Sequence, residues 1–276
     1  MTRGPGVGAR MHPDEIEIDV PLVRRLVATQ FSHWSGLPIR PVPSAGTDNA
    51  LYRLGEELLV RLPRIHWAVP NVDKELHWLP RLARHLPVAV PEPLGRGEPA
   101  EGYPWPWSVY RWLDGENPDV DHLDDAESLA TELARFVSAL HRIDPTGAPP
   151  AGRGVPLAER ESATRSAIDA LHGMVDVATV TAAWEEDVRA PAWSGPPVWV
   201  HGDLSPGNLL LIGGRLGAVI DFGGLGVGDP ACDLIVAWNL LPADSRDVFR
   251  ALLQVDEATW QRGRGWALSI ALIQLP

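Results

Sequence analysis

The period of the hydrophobic positions changes near residue 113. Residues 50–54 and 58–62 alternate apolar and polar side chains around the turn Gly55-Glu56-Glu57, which predicts two antiparallel strands. Residues 102–113 are rich in Trp, Tyr and Val and predict one or two further strands. Beyond residue 124 the spacing becomes helical, because apolar residues recur on one helix face: Leu129, Leu133, Phe136, Val137 and Leu140.

Further helices are predicted on both sides of this change. Asp19 is the expected N-cap of a short helix, in which Val23, Leu26 and Val27 share a face. A Pro/Gly-rich loop is expected at 145–160. Helical patterns are also found over three longer ranges: 72–85, with Pro80 inside it, 157–189 and 229–276.

A mostly β first part followed by a mostly α second part predicts an α+β fold with two lobes and the active site between them. We assign residues 1–18 to a flexible leader and 19–113 to an N-lobe built on an antiparallel sheet. Residues 115–276 then form a mainly helical C-lobe, with the hinge at 108–114. The apolar helical run at the end of the sequence has no cap and no polar tail, so we expect that the natural C-terminus is missing.

The composition restricts the classes of protein that this chain can represent. Its 276 residues, 45% of them hydrophobic, suffice for the core of one large domain or of two modest lobes. No apolar stretch approaches the roughly 18 to 20 residues of a membrane span, and the N-terminus has no secretory signal, so we expect a cytoplasmic protein. The net charge of −12 argues against a nucleic-acid partner. The single cysteine, Cys232, excludes an intramolecular disulfide and a thiolate-rich metal site.

Two motifs at a fixed separation carry the candidate chemistry. The first reads His201-Gly-Asp203-Leu-Ser-Pro-Gly-Asn208, and the second reads Asp221-Phe-Gly. Three short apolar runs at 198–200, 209–212 and 216–220 predict strands that form a hairpin-like unit and place Asp203, Asn208 and Asp221 at one edge. One carboxylate can take a proton from an attacking hydroxyl, while an amide oxygen and a second carboxylate can hold Mg²⁺ on the phosphates of ATP. The motifs therefore predict phosphoryl transfer.

With these lobes and motifs, the chain resembles the aminoglycoside phosphotransferase family, whose members have a bilobal protein-kinase-like fold. The resemblance runs from residue 45 to residue 266. It is densest around the two motifs and in the segment Gly228-Asp-Pro-Ala-Cys-Asp-Leu234, which is more typical of this family than of protein kinases. The fold expected from the resemblance is an antiparallel-sheet N-lobe and a mainly helical C-lobe.

The resemblance implies a role for each motif residue. Asp203 corresponds to the catalytic carboxylate that orients and deprotonates the acceptor hydroxyl, a contribution of about 10² to 10⁴ in rate. Asn208 and Asp221 correspond to the Mg²⁺ ligands. His201 is expected to support the loop by hydrogen bonding and not to act as a base. Asp229 and Asp233 form a structural motif, expected to cap the following helix and to steady the catalytic loop.

The N-lobe matches the kinase pattern less closely. Arg61 lies where that pattern has a lysine, and Glu75 is its expected partner on the next helix. No G-x-G-x-x-G precedes this strand. A turn in the corresponding place consists of Gly46, Thr47, Asp48 and Asn49. This turn either offers backbone N–H groups to a phosphate or is an ordinary hairpin. The segment 108–113, which includes Tyr110 and Trp112, resembles the hinge that binds adenine through its main chain.

The function expected from these features is transfer of the γ-phosphoryl group of ATP, or of GTP as an alternative, to a hydroxyl of a small molecule with Mg²⁺ as cofactor. An aminoglycoside-like antibiotic is the first expectation, since Asp114 and Glu116 belong to an acidic run that can face a cationic acceptor or can be a solvated loop. A metabolic kinase acting on choline, homoserine, a sugar amine or a macrolide hydroxyl is the alternative, and a catalytically silent nucleotide-binding protein is a third reading. The sequence does not predict an oligomeric state.

Overall fold

The computed structural model describes residues 16–43 and 48–275, and the chain divides into two compact units. The first unit contains the chain up to Ala83 together with Val90–Asp114. The second unit contains Arg84–Ala89 and the chain from Gly115 onward. The predicted leader falls almost wholly on residues 1–15, which lie outside the described residues, as do Gly46 and Thr47.

Over its described residues, the first unit is a five-stranded antiparallel sheet with two α-helices. The strands have the order β1-β2-β3-β5-β4 in the sheet. In chain order its elements are α1 (Val20–Gln30), β1 (Ile39–Pro41), β2 (Asn49–Leu54), β3 (Leu58–Pro63), α2 (Val69–Leu82), β4 (Pro93–Gly97) and β5 (Trp107–Arg111), with 3₁₀ turns at Ser32–Trp34, His66–Ala68 and Ala83–His85. The predicted pairing of β2 with β3 is confirmed, since Leu54 lies opposite Leu58 across the turn.

The predicted cap and apolar face of α1 are also confirmed. Asp19 Oδ1 accepts the N–H of Leu22 at 2.8 Å, which satisfies one of the free donors of the first turn. The predicted face is buried against alternate residues of β2 and β3 and the side chains of Tyr103 and Trp107. Burial of each large apolar side chain stabilises this core by about 1.5 to 3 kcal/mol.

Strand β4 was not predicted. Its sequence, Pro93-Leu-Gly-Arg-Gly97, begins with proline, contains two glycines and lacks an alternating apolar pattern. Within the described part of the chain it lies at the edge of the sheet and pairs with β5 alone, with a register shift between Pro93 and Gly95. Edge strands tolerate proline and glycine because only one side is hydrogen-bonded, so the residue pattern of this strand resembles that of a loop.

The second unit is mainly helical and contains two small two-stranded sheets. Its elements are α3 (Ala126–His141), α4 (Glu161–Ala170), α5 (Val177–Val188), β6 (Val198–Val200), β7 (Leu209–Ile212), β8 (Arg215–Val219), β9 (Gly226–Gly228), α6 (Val236–Asn239), α7 (Ala243–Leu253) and α8 (Glu257–Gln274), with 3₁₀ turns at Leu157–Arg160, Pro206–Asn208, Phe222–Gly224 and Pro230–Ile235. The predicted stripe of α3 is buried along its whole length, and Asp125 caps the helix. None of the described helices is long and apolar enough to cross a membrane.

The prediction that three strands form one hairpin-like unit is wrong in one respect. Strands β7 and β8 pair with each other as predicted, but β6 pairs with β9 in a separate sheet. The sequence did not indicate β9, because Gly226-Val227-Gly228 is short and has a single apolar side chain. Its glycines serve a close backbone approach, described below.

Candidate active site

The first motif follows β6 as a loop, residues 201–208, that we call the catalytic loop. His201 is fully buried at its start. Its Nδ1 accepts the N–H of Asp203 at 3.2 Å, and its Nε2 donates to the carbonyl oxygen of Ile220 at 3.1 Å. A ring that accepts at Nδ1 and donates at Nε2 is a neutral imidazole with both nitrogens occupied. This geometry supports the loop and gives His201 no nitrogen for general-base chemistry.

Asp233 anchors the start of the same loop. Its side chain is fully buried, and its two oxygens accept the N–H groups of Gly202 at 2.8 Å and of His201 at 3.1 Å. His141 Nε2, from α3, lies 3.0 Å from the second oxygen. Asp233 therefore holds the loop directly through its main chain and is not itself the cap of the following turn.

Asp203 and Asn208 face each other across the catalytic loop. Asn208 Nδ2 donates to the Asp203 carbonyl oxygen at 2.8 Å and lies 3.3 Å from Asp203 Oδ2. Because the amide nitrogen is used in this way, Asn208 Oδ1 points away from Asp203. The Asp203 side chain remains 34% exposed, so an incoming hydroxyl can reach it.

Asp221 follows β8 in a left-handed conformation, with φ 60° and ψ 71°. This region is uncommon for residues other than glycine and recurs at functional sites. The next residue, Phe222, is buried, and its ring lies 4.6 Å from the His201 ring. A Cβ on Gly224 would lie 2.8 Å from the carbonyl oxygen of His201, so a glycine is needed where the Asp221 segment passes the catalytic loop.

Asn208 and Asp221 are a suitable donor set for Mg²⁺. The amide oxygen and the carboxylate are both hard ligands. Among residues 16–43 and 48–275, no three His, Cys, Asp or Glu side chains group as a metal site. Mg²⁺ is usually bound through one or two carboxylates together with substrate phosphates and water, and not in an all-protein cage. The residues present therefore fit a magnesium ion that arrives with a nucleotide.

A second acidic residue of the predicted structural motif lies in a buried ion pair. Asp229 accepts two hydrogen bonds from Arg262 of α8, at 2.7 and 3.1 Å, and the two side chains are only 4% and 3% exposed. Asp229 Oδ1 also accepts the N–H of Ala231 at 2.9 Å, which caps the turn that leads to Asp233. The sequence pointed to Asp229, but nothing in it singled out Arg262 among the arginines of the chain.

Three further residues contact the catalytic loop and were missed. Asn117 Nδ2 lies within hydrogen-bonding distance of three carbonyl oxygens, those of Pro206, Gly207 and Leu209, at 3.3, 3.0 and 2.8 Å. Asn239 Nδ2 donates to the Leu204 carbonyl oxygen at 3.1 Å. Arg153 donates to Asp203 itself. Each comes from a segment remote in sequence and carries no local motif.

In the first unit, Arg61 and Glu75 form a close ion pair. Arg61 Nη1 lies 2.9 Å from both Glu75 oxygens, and Glu75 is only 1% exposed. With the Asn49 amide oxygen turned toward Arg61, it accepts from Nη2 at 3.0 Å and from Nε at 3.2 Å. The structure thus brings together the arginine and the glutamate that the kinase pattern predicted, with Asn49 beside them.

Tyr110 lies in the last strand of the sheet along the chain, just before the segment change at residue 114. It lies inside β5, opposite Leu59 on one side and Pro93 on the other, and its ring is buried. Its hydroxyl donates to Glu75 at 2.7 Å. Burial, and then the charge of Glu75, raise the pKa of Tyr110 well above its ordinary value. Tyr110 therefore braces Glu75, and the assignment of its main chain to an adenine-binding hinge stays a prediction.

The other nucleotide-side and acceptor-side candidates are spread along the chain. Trp112 lies just after β5, with its indole N–H 2.9 Å from Asp114 and the Arg53 guanidinium 4.3 Å from its ring centroid. Asp48 accepts the N–H of Arg64 at its carbonyl oxygen, at 2.7 Å. Glu116 has an exposed side chain, and its main chain forms a two-way bridge with Leu211 of β7, at 3.0 and 2.7 Å.

Comparison with known proteins identifies relatives over part of the chain. The family model described as the phosphotransferase enzyme family matches residues 39–266. An aminoglycoside 3'-phosphotransferase of Escherichia coli is 29% identical over 144 residues, which cover 49% of this chain and 51% of the relative. Another aminoglycoside 3'-phosphotransferase of Escherichia coli is 40% identical over 63 residues, 23% of each protein. The aligned part of the first of these spans about half of that relative's length.

Solved structures show the same fold over most of the chain. The GDP and kanamycin complex of APH(2")-IIia superposes with a TM-score of 0.74 at 20% identity, covering 91% of this chain and 89% of that one. A macrolide 2'-phosphotransferase type I superposes with a TM-score of 0.64 at 20% identity, covering 92% and 90%. The predicted α+β, protein-kinase-like fold is therefore confirmed. Because the family model covers most of the sequence, the chain belongs to the phosphotransferase enzyme family.

Proposed function

We propose that the protein transfers the γ-phosphoryl group of ATP to a hydroxyl of a small molecule. The observation that carries the proposal is the arrangement of the catalytic loop, in which Asn208 Nδ2 is fixed on Asp203 and Asn208 Oδ1 is left for a cation. Asp221 lies on the segment that passes directly beside this loop. An exposed carboxylate next to a fixed amide oxygen and a second carboxylate is the donor set that phosphoryl transfer needs.

In this proposal Asp203 binds the acceptor hydroxyl and takes its proton as the new P–O bond forms. Asn208 and Asp221 would hold Mg²⁺, which neutralises charge on the nucleotide phosphates when it is bound. Arg61, held by Glu75, is the proposed phosphate-side cation of the first unit. Arginine can replace lysine here because its guanidinium is permanently charged and binds phosphate well. GTP is the alternative donor.

For the acceptor we propose a hydroxyl of an aminoglycoside-like, cationic compound. The support is that the curated relatives are aminoglycoside 3'-phosphotransferases and that the chain has a net charge of −12, which attracts a cation at long range. The second candidate is a macrolide hydroxyl, which the likeness to macrolide 2'-phosphotransferase type I favours.

The test is a screen for release of ADP from ATP, or of GDP from GTP, in the presence of Mg²⁺, over aminoglycosides, macrolides, choline and homoserine, followed by phosphorus NMR of each product. Asp203→Asn should lower kcat by at least about 100-fold while nucleotide still binds. Asp169→Asn is the matched control, since Asp169 is an exposed residue of α4. Turnover by Asp203→Asn at the wild-type rate would refute the assignment of the base.

The same screen separates the remaining readings. Turnover of choline or homoserine, with no antibiotic accepted, would replace the antibiotic with a metabolic acceptor. Nucleotide binding without transfer to any acceptor would show a catalytically silent protein. Arg61→Met should weaken nucleotide binding in a titration of either kind of protein, because it removes the proposed phosphate-side cation and breaks the ion pair with the buried Glu75.

A further inference from the structure

Arg153 makes a contact with the catalytic carboxylate that the family motifs do not include. Its Nη1 donates to the carbonyl oxygen of Gly202 at 3.1 Å and to Oδ1 of Asp203. Asn208 Nδ2 lies on the other oxygen, Oδ2, at the longer distance of 3.3 Å. The carboxylate is thus fixed mainly through Oδ1, which leaves Oδ2 as the oxygen with more capacity to accept a proton.

The main chain on both sides of Arg153 is tied to the sheet that carries the catalytic loop. In residues 149–154, Pro149 accepts the N–H of Val227 at 2.9 Å, and Ala151 donates to the Val227 carbonyl oxygen at 3.0 Å. Gly154 then accepts the N–H of Asp229 at 2.7 Å. Val227 belongs to β9, and β9 pairs with β6, which leads directly into the catalytic loop. Residues 149–154 therefore lie beside β9 as a third segment of this sheet. Because their backbone is already held by these hydrogen bonds, placing Arg153 at Asp203 costs little further conformational entropy.

A second cation close by favours this position of Arg153. Arg160 donates from Nε to Ser269 at 3.3 Å, and its guanidinium lies 5.5 Å from the centroid of the Trp266 ring. Burial lowers the pKa of Arg160, and the positive charge of Arg153 lowers it further. Because like charges repel, the charge of Arg160 disfavours a shift of Arg153 toward it.

A structural role alone does not account for this contact. The side chains of Arg153 and Asp203 are 33% and 34% exposed, and ion pairs of that exposure stabilise a fold by at most about 1 kcal/mol. Orientation of a reacting group is worth far more, because a displacement of about 1 Å can cost 100-fold in rate. The contact between Arg153 and Asp203 therefore contributes more by fixing the direction of one carboxylate oxygen than by stabilising the fold.

We propose that Arg153 is a positioning residue that holds Asp203 through Oδ1, so that Oδ2 faces the acceptor hydroxyl. The proposal rests on the proposed function. The acceptor oxygen forms a bond to the γ-phosphorus, and the bond from that phosphorus to the bridging oxygen breaks, so that ADP leaves with its electron pair. The hydroxyl proton passes to Asp203 Oδ2. Arg153 exchanges no proton and acts only through Asp203.

The kinetic test compares Arg153→Ala, Arg153→Lys and the control Arg142→Ala, an exposed arginine just after α3. We expect Arg153→Ala to lower kcat about 10- to 100-fold with the KM for ATP little changed. Arg153→Lys should retain part of the activity, since lysine keeps the positive charge but not the planar, rigid guanidinium that fixes the position of Nη1. Guanidinium ion at millimolar concentration should restore part of the kcat of Arg153→Ala, which a general loss of structure would not allow.

A second readout does not depend on turnover. Carbodiimide coupling of an amine to carboxylates, mapped by mass spectrometry, should label Asp203 several-fold faster in Arg153→Ala than in the wild type or in Arg142→Ala. If Asp203→Asn inactivates the protein but Arg153→Ala keeps the wild-type kcat, the positioning role of Arg153 is overturned and the proposed function stands. If the wild type transfers phosphate to no acceptor, the proposed function is overturned. If, in addition, Asp203 is labelled at the same rate in Arg153→Ala and in the wild type, the contact between Arg153 and Asp203 is overturned as well.

Discussion

Asp233 is the residue whose conservative replacement should disturb the catalytic loop most. Its two buried oxygens accept the N–H groups of Gly202 and His201, and His141 contacts the second oxygen. Asp233→Asn places an amide NH₂ where one of these oxygens was, in either orientation of the amide. At least one buried donor then faces another donor and loses its charged acceptor.

The expected cost follows from these contacts. A hydrogen bond to a charged group contributes about 1.5 to 3 kcal/mol, and a buried donor left without a partner costs about 1 to 3 kcal/mol. Asp233→Asn should therefore lower the free energy of unfolding of the second unit by about 2 to 4 kcal/mol. Because the same N–H groups position Asp203, kcat should fall by about 100-fold at a temperature at which the variant is still folded.

The assay is urea unfolding followed by circular dichroism and tryptophan fluorescence, with kcat measured on the folded protein. His141→Gln separates the two kinds of contact, since it removes the ring at 3.0 Å but leaves both main-chain bonds of Asp233. It should cost about 1 kcal/mol and leave kcat within a few-fold of wild type. A free energy of unfolding for Asp233→Asn within about 0.5 kcal/mol of wild type would refute the anchoring role, because surface substitutions already vary by that amount.

Three other predictions follow from the second unit. Arg262→Met should lower the free energy of unfolding by about 3 to 5 kcal/mol in the same urea assay, because it leaves Asp229 buried without its cation, and Asp229→Asn in the same chain should recover part of that loss. Gly226→Ala should lower both kcat and the free energy of unfolding, the latter by about 1 to 3 kcal/mol. The reason is that a Cβ at this position would lie 2.5 Å from the main chain of Ala151. Wild-type values of both quantities would contradict this close approach. Cys232 should not react with a disulfide reagent until the protein is unfolded in urea, since burial raises the pKa of its thiol well above the usual value, and rapid labelling of the native protein would disprove this.

The parts of the fold that could be predicted from the sequence have strong local signals. The stripe of α3, the cap of α1 and the β2–β3 hairpin each depend on residues within one element, and each was found. Strands β4 and β9 were missed because their neighbours, not their own side chains, make them strands. For β9 the informative signal was its two glycines, which permit the main chain of residues 149–154 to approach.

The residues of the candidate site also fall into those with a local sequence signal and those without one. The motif residues were named from their spacing and the family resemblance, and the pairing of Arg61 with Glu75 from the kinase pattern; the structure places Arg61 and Glu75 in contact. Arg153 could not be found in this way, because it lies 50 residues before Asp203 in a segment whose composition is that of a loop. Tyr110 was assigned to the hinge from its position in sequence, whereas its buried hydroxyl contacts Glu75. Side-chain direction depends on tertiary packing, which local spacing does not encode.

The catalytic loop is itself irregular, and its conformation depends on side chains from other segments. Asp233 holds its first two N–H groups, Asn239 holds the Leu204 carbonyl oxygen, and Asn117 holds the carbonyl oxygens at its end. Because a loop without ladder hydrogen bonds has many conformations of similar energy, contacts from several directions are needed to keep Asp203 within the fraction of an ångström that transfer requires. Replacement of any one of these supports should then lower kcat even at a temperature at which the variant is still folded. The supporting residues are therefore as much a part of the candidate active site as the motif that first indicated it.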